Sequence, residues 1–419
     1  AWHQFRNDEY KTSDLGLTLD GIGTMSNAWL SFNDSRLRLI TIDNERAWRQ
    51  FDLNQSSITL GDNANSNHQD DFTHRETNLG GYATIGYRSG PLSVIAGLRA
   101  ERTELDTSSF VRVSEVWEPN ETSSDYSFLL PSFLASYDLS PALRIRAAFS
   151  QTIGRPSYES YASRSSITFE NEADIGNPDA EDVSVDLGNP DIKPRRADNY
   201  DLSLEWTLSE RFGGLVSAAL FHKNIHDEIY EARSTRFTYQ GVHYANASVS
   251  QPANASSARI SGIEVGAIVN SLEFLTPALS DFGVSANWTL LDGAIKVPQA
   301  AGETRTIDRL LGQPGEIRNV SIFYTHGGFE LRGAYSWTGR ALRNIMPDIA
   351  WQDVYWAPRK QFDLQARYTV RPGLSLVAEV NNLTEERMDS VTGPGMNLLK
   401  DSYSTPRTVW LSINWTPGR

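Results

Sequence analysis

Residues 76–104 read ETNLGGYATIGYRSGPLSVIAGLRAERTE, and this stretch decides the fold. On its first arm Leu79, Gly81, Ala83, Ile85 and Tyr87 share one face, and Tyr82, Thr84, Gly86 and Arg88 share the other. Ser89-Gly90-Pro91 then reverses the chain, since Gly tolerates a positive φ and Pro cannot continue a ladder. The return arm sets Leu92, Val94, Ala96, Leu98 and Ala100 against Ser93, Gly97, Arg99, Glu101 and Thr103. A period of two with one greasy row and one Arg/Glu/Thr row describes a β-hairpin that is dry on one side and wet on the other.

The pattern spreads in both directions. Phe133, Ala135 and Tyr137 alternate with polar neighbours, residues 139–142 turn, and Leu143, Ile145, Ala147 and Phe149 oppose Arg144, Arg146, Ala148 and Ser150. Tyr200, Leu202, Leu204, Trp206 and Leu208 oppose Asp201, Ser203, Glu205 and Thr207, with a less regular return arm over 215–230. Further arms are expected at 256–270, 281–292, 316–325, 329–339, 360–369, 374–382 and 407–415. With 2–10 and an arm near 237–248, this makes roughly 15 strands. Short Gly/Pro/Ser connections (89–91, 139–142, 209–214, 326–328, 370–373) alternate with long ones (105–126, 156–196, 293–314, 340–357, 384–405). Residues 12–75 read as one long surface excursion with helical turns. Such segregation of loop length predicts an all-β, antiparallel, up-and-down transmembrane β-barrel, with short periplasmic turns and long extracellular loops. A soluble sandwich would also alternate, but it would hide its greasy rows beneath a second sheet and stud the other face with lysines, which are few here.

Composition permits this. The 419 residues are 39% hydrophobic, and the mean hydropathy of -0.41 looks soluble. No run approaches the roughly 18 apolar residues of a membrane helix, but a spanning strand needs only about 9–11, every second one facing lipid. A net charge of -14 opposes a nucleic-acid partner held through phosphates. With no cysteine, disulfides and Cys-based metal sites are excluded. Ala1-Trp2-His3-Gln4-Phe5 is not a charged and then apolar export leader.

Several segments resemble the C-terminal half of TonB-dependent outer-membrane receptors. NPDIKPRRADNYDLSLEW (189–206) with GGLVSAALFHKNIHDEIY (213–230) is similar to the family's Asn-Pro-Asp/Glu-Leu-Lys-Pro element and the strand pair after it. ARISGIEVGAIVNSLEFLTPALSDFGVSANWTLLD (258–292) resembles its Gly-Val/Ile-Glu strand and the turn that follows. RKQFDLQARYTVRPGLSLVAEVNNLTEE (359–386) carries the Asn-Asn-Leu-Thr element of a late strand, and 95–104 and 130–158 fit as well. These residues read locally as turn and strand-end chemistry: Asn189, Pro190 and Pro194 as turns, Gly262 as relief of crowding, Asn381-Asn382 as a strand end. They are carried over as scaffold only. The resemblance implies a localisation in the bacterial outer membrane and import of a siderophore, cobalamin, oligosaccharide or similar ligand. It also implies energy from TonB through a plug domain. Family barrels have about 22 strands around a plugged lumen, so residues 1–419 are expected to be one C-terminal barrel portion, with plug and first strands outside this chain. A passive porin-like channel is the alternative. Expected partners are outer-membrane lipid, TonB through the plug, and a small-molecule or oligosaccharide ligand, with no nucleic acid.

No enzyme is expected: Gly-x-Ser-x-Gly, phosphate-loop and His-Glu-x-x-His motifs are missing from the sequence, and no cofactor is implied. His222 and His226 share a strand face about 13 Å apart, too far for one metal ion, and read as lumen or rim residues. The acidic loop 170–191 lacks EF-hand spacing and reads as solvated rather than calcium-binding, its twice-written Gly-Asn-Pro-Asp (176–179 and 188–191) as turn chemistry. Loop aromatics are the candidates for ligand binding, since no lipid-facing row needs them there. Tyr158, Tyr161, Trp351, Tyr355 and Trp356 are chosen, beside Trp117, Tyr239 and Tyr244. The competing role for each is loop packing or a membrane-interface position.

Overall fold

The computed structural model describes residues 71–416 apart from 114–115, 163–164, 182 and 300–301, together with His68 and short strands at 2–7, 23–25, 30–32, 35–37 and 40–42. The expected helical turns of 12–75 and the tail 417–419 otherwise lie outside the described residues.

Fourteen strands follow one another in chain order in a single antiparallel sheet. They are β1 (Trp2–Asn7), β2 (Phe72–Ser89), β3 (Leu92–Val113), β4 (Val116–Ser140), β5 (Leu143–Gly154), β6 (Arg195–Thr207) and β7 (Gly214–His226). β8 (Ser257–Val269), β9 (Phe282–Pro298), β10 (Glu316–His326), β11 (Phe329–Thr338), β12 (Arg359–Arg371), β13 (Leu374–Asn381) and β14 (Thr408–Trp415) complete the row. A fifteenth strand, Thr304–Ile307, pairs with the end of β9. Among the described residues β1 and β14 do not pair with each other, so the sheet is open.

Register confirms both faces read from the opening hairpin. Ala83 lies opposite Leu98, Ile85 opposite Ala96 and Tyr87 opposite Val94, while Arg88 meets Ser93 and Thr84 meets Gly97. Paired residues of an antiparallel ladder share a face, so the greasy row continues from strand to strand. Tyr137 joins Ile145, Leu204 joins Ile145, and Leu202 joins Leu220. Leu220 joins Ile263, and Ile263 joins Leu290. Apart from the half-buried Ile145, these side chains are exposed although large and apolar: Ile263 keeps 47% of its surface, and Leu411 further along the row 81%. A continuous band of this kind is what hydrocarbon would cover. On the opposite face Arg146 pairs with Glu205 at 3.1 Å and Arg99 with Glu101 at 3.2 Å. Polar residues occupy this row because water reaches the lumen.

One glycine shows how the inner row packs. A Cβ on Gly262 would stand 2.4 Å from the Phe221 ring and 2.8 Å from the Leu290 carbonyl oxygen. The ring lies across the gap, as the relief-of-crowding reading of Gly262 requires.

Two expectations are corrected. The connection 105–126 is no loop, because β3 and β4 run on for 22 and 25 residues and meet at Val113 and Val116. Only about 10 residues are needed to cross the membrane, so this hairpin projects beyond it. Alternation persists there, with Leu105, Thr107 and Ser109 buried, but Thr and Ser fill the row and erase the hydrophobic signal. The arm expected near 237–248 is not a barrel strand either. Phe237–Tyr239 and Val242–Tyr244 form a separate hairpin.

The long connections carry sheets of their own. Ser165–Phe169, Val183–Leu187, Ser248–Asn254 and Ile229–Ser234 form one, drawn from two different loops. Ala341–Asn344, Val354–Trp356, Met388–Thr392 and Leu398–Tyr403 form another. Ala232 bridges to Ile345, and a core that includes Tyr230, Ile295, Val297, Ile307, Leu342 and Ile345 packs beneath. Among the described residues no helix is long and apolar enough to cross a membrane.

In reconstituted bilayers, spin labels at Leu204, Ile263 and Leu411 should be relaxed by oxygen, and labels at Glu205 and Glu264 by a water-soluble nickel chelate. Equal quenching of the two sets would remove the assignment of faces. Gly262→Ala should lower the yield of refolded protein, with an overpacking cost of roughly 1–3 kcal/mol; an unchanged unfolding midpoint would show that Phe221 moves aside freely.

Candidate functional site

At the end of the sheet opposite the short turns, three long connections line an open cavity of about 570 Å³. The first supplies Arg305 and Arg309, the second Arg340, Trp351, Asp353 and Tyr355, and the third Gly393, Pro394 and Met396.

Local strand chemistry aims these groups. Thr304–Ile307 folds back on β9, pairing Ile295 with Ile307 and Val297 with Arg305. Arg305 therefore shares the face of the buried Ile307, and its guanidinium points into the crown. There it forms an ion pair with the carboxylate of Asp353, and it donates to the Met346 carbonyl at 2.6 Å. Asp353 accepts the Met346 N–H at 2.9 Å. Only 2% of Asp353 is exposed, and burial pushes its carboxyl above the ordinary aspartate value, against the opposing pull of the Met346 N–H and Arg305. Burial likewise raises the Tyr355 phenol, and Asp353 adds to the rise.

The two remaining guanidiniums are differently placed. Arg309 donates to the Arg340 carbonyl at 2.6 Å. Among the described residues the Arg340 side chain donates to the Met396 sulfur alone, at 3.7 Å, and its buried Nε has no hydrogen-bond partner. Among the described residues neither Arg309 nor Arg340 forms an ion pair; Asp308 is the other acid on the wall. With Arg305 neutralised by Asp353, the cavity presents two cations, Arg309 and Arg340, against the one acid Asp308, beside two aromatic rings. Such a site suits an anionic group attached to a ring.

The five chosen aromatics separate into three settings. Trp351 and Tyr355 line the cavity. Trp351 is 53% exposed, while its carbonyl is held by the Gly393 N–H at 2.9 Å and the Thr392 hydroxyl at 3.2 Å. Trp356 is not on the wall. Arg343 covers its face at 4.3 Å, with Tyr403 at 6.1 Å, and Arg343 is itself tied to the Asp401 carboxylate. Tyr158 and Tyr161 sit on a single helical turn against His74, with ring centroids 4.9 and 5.5 Å away. Tyr161 is buried with Leu105 and Ile192, and burial raises its phenol and lowers the His74 imidazole. Tyr244 is buried too, its hydroxyl accepting the Gly176 N–H at 2.9 Å.

The arginines escaped the sequence reading. A strand of 304–307 with Arg305 two positions before a buried Ile would have been the signal. Elsewhere the local readings hold. Asn177 and Asn189 each accept the N–H two residues on, at 3.1 Å, so the repeated Gly-Asn-Pro-Asp forms the same turn twice. Asn382, at φ 52°, donates to the Thr405 carbonyl at 2.6 Å and accepts the Glu386 N–H at 2.9 Å, tying a strand end to the next loop. His222 and His226 stand at the rim on the outward row, held by Ser261 at 2.7 Å and Asp198 at 3.4 Å.

Tyr161→Ala should cost roughly 3–5 kcal/mol of crown stability, as for other buried aromatics, whereas Trp351→Ala should change stability by less than about 0.5 kcal/mol. Thermal unfolding followed by near-UV circular dichroism checks this, and equal losses would mean that Trp351 packs loop on loop.

Comparison with known proteins agrees with this architecture. The family model described as TonB dependent receptor-like, beta-barrel matches residues 2–383. The unliganded ferric citrate transporter FecA superposes with a TM-score of 0.58 at 15% identity, over 91% of this chain and 49% of that one. The ferric-catecholate import receptor Fiu from E. coli K12 gives 0.56 at 14% identity, over 83% and 46%. Copper transporter OprC gives 0.56 at 16%, over 82% and 49%. At such identities the likeness concerns the fold. The chain spans about half the length of these structures. No curated protein sequence matches. With a lipid-facing row outside, a polar row inside and a family match across most of its length, the chain belongs to the TonB-dependent receptor-like β-barrel family of the Gram-negative outer membrane.

Proposed function

We propose that these residues are the C-terminal barrel portion of a receptor that imports a scarce solute, with energy delivered by TonB through a plug domain belonging to the same receptor. The open sheet supports the first half of this reading, because unpaired strand edges are costly in hydrocarbon and call for further strands. The observation that carries the second is the cavity between three long connections, mounted on strands whose other face meets lipid. Arg309 and Arg340 favour an anionic group, and Trp351 and Tyr355 offer faces to a ring. A ferric chelate or an acidic oligosaccharide has both features. Tyr158, Tyr161 and Trp356 then support the site without touching the ligand.

The test is growth and labelled uptake in a strain lacking the receptor, complemented with the complete gene, on a panel of ferric chelates, cobalamin and neutral and acidic oligosaccharides. One anionic member should be taken up in a TonB-dependent manner. Arg309→Ala should weaken its binding roughly tenfold to a hundredfold, the range for a lost charged hydrogen bond. Uptake unchanged when TonB is deleted would favour a passive porin-like channel. Uptake of neutral solutes alone would sink the anionic site.

A further inference from the structure

We infer that the outward face of β6–β9, just above the lipid-facing row, binds the phosphorylated headgroup of an outer-leaflet lipid. This rests on the membrane-spanning fold and is independent of which solute is imported.

The outward row is apolar as far as Leu220, Ile263 and Leu290, and then changes character. Two positions further along each strand the row reads His222, Ser261 and Asp292; four positions further, register places Asn224 opposite Arg259 and Arg259 opposite Ala294, with Lys296 one level beyond. Four residues of strand tilted by about 40° rise roughly 10 Å, which reaches from hydrocarbon into the headgroup layer. There a cleft of about 590 Å³ opens on the outer surface, lined by Asp198, Asn224, His226, Arg259, Lys296 and Thr306, among others.

Its charges are unevenly satisfied. Asp198 is occupied from within the sheet, accepting from Gln151 Nε2 at 2.7 Å and standing 3.4 Å from His226 Nε2. Arg259 and Lys296 are exposed, and among the described residues neither side chain has a hydrogen-bond or ion-pair partner. Asp292, opposite Ser261, lies one level nearer the membrane. Arg259 and Lys296 are diagonal neighbours on one face, a spacing of about 7–8 Å, with Cβ atoms somewhat closer. Two long cations at that separation can close on one phosphate, their stems lying along the apolar band and their heads reaching the headgroups. A solute ligand would not meet this face, because it points away from the lumen.

The experiment uses the complete receptor in phosphatidylcholine nanodiscs doped with a bis-phosphorylated glucosamine lipid or its dephosphorylated form. Bound lipid is counted by native mass spectrometry. The phosphorylated lipid should be retained selectively. Arg259→Gln and Lys296→Gln should each reduce retention roughly fivefold and the pair roughly thirtyfold, at the usual strength of one interfacial cation each. Arg259→Lys with Lys296→Arg should keep it, and Arg211→Gln, at the periplasmic end, should leave it unchanged. The proposal is overturned if the double variant retains as much lipid as the parent, if the dephosphorylated lipid is held equally by the parent, or if Arg211→Gln loses as much. Displacement of the lipid by millimolar inorganic phosphate would likewise overturn it, by assigning the cleft to a free anion.

Discussion

Every backbone N–H and C=O that enters hydrocarbon must find its partner within the protein, because no water is there to supply one. The ladder of fourteen consecutive antiparallel strands meets this demand, and most of the structure follows from it. Once neighbouring strands are hydrogen-bonded, a residue's parity decides its face. A slip of one residue anywhere in β6–β9 would turn Leu220, Ile263 and Leu290 into the lumen and Glu205 and Glu264 into lipid. Register is thus held by the two solvents on either side of the sheet. Tight turns such as Gly90 at φ 55° and Gly373 at φ 80° keep it from drifting at the periplasmic end.

Beyond the membrane the demand relaxes, and the chain uses the freedom differently. Loops there can be hydrated, yet they are organised by small sheets that join separate connections. Asn254 accepts the Lys193 N–H at 2.8 Å and donates to the carbonyls of Lys193 and Asp227 at 2.9 Å, stitching the Asn-Pro-Asp-Ile-Lys-Pro element to the neighbouring loop. The core of Tyr230, Val297, Leu342 and Ile345 fastens two further connections. The walls of the cavity consequently stand on packed elements, a condition for holding several polar groups in one geometry. The buried Arg305–Asp353 pair has a similar role, fixing the segment at Met346 and leaving Arg309 and Arg340 against the single acid Asp308 on the cavity wall.

The same rim that bears the cavity on its inner side bears the Arg259–Lys296 cleft on its outer side. Both arise where the outward or inward row passes out of its own solvent layer and must change composition. The inner row can collect side chains around a solute. The outer row must suit a layer of charged headgroups, and cations with long stems do so.

The barrel was legible in the residues because its signal is local and repeated: parity needs only the next residue but one, and 316–326, 329–338 and 374–381 appear almost as alternation places them. Face assignments from 76–104 survived unchanged for the same reason. Alternation ceased to inform where both rows became polar, so the projecting hairpin at 105–126 passed for a loop. The candidate site was legible only in part. Exposure of a loop aromatic depends on what another loop lays over it, and that is a long-range fact. Tyr403 reaches the Trp356 ring from the next long connection, and His74 meets Tyr158 and Tyr161 from a strand far upstream. By itself the sequence determined which side of each strand meets lipid, since that follows from spacing along one chain. Only the tertiary structure decided which loops share a wall, and hence that Arg309, Arg340, Trp351 and Tyr355 converge, because their meeting depends on contacts between segments that no local period records.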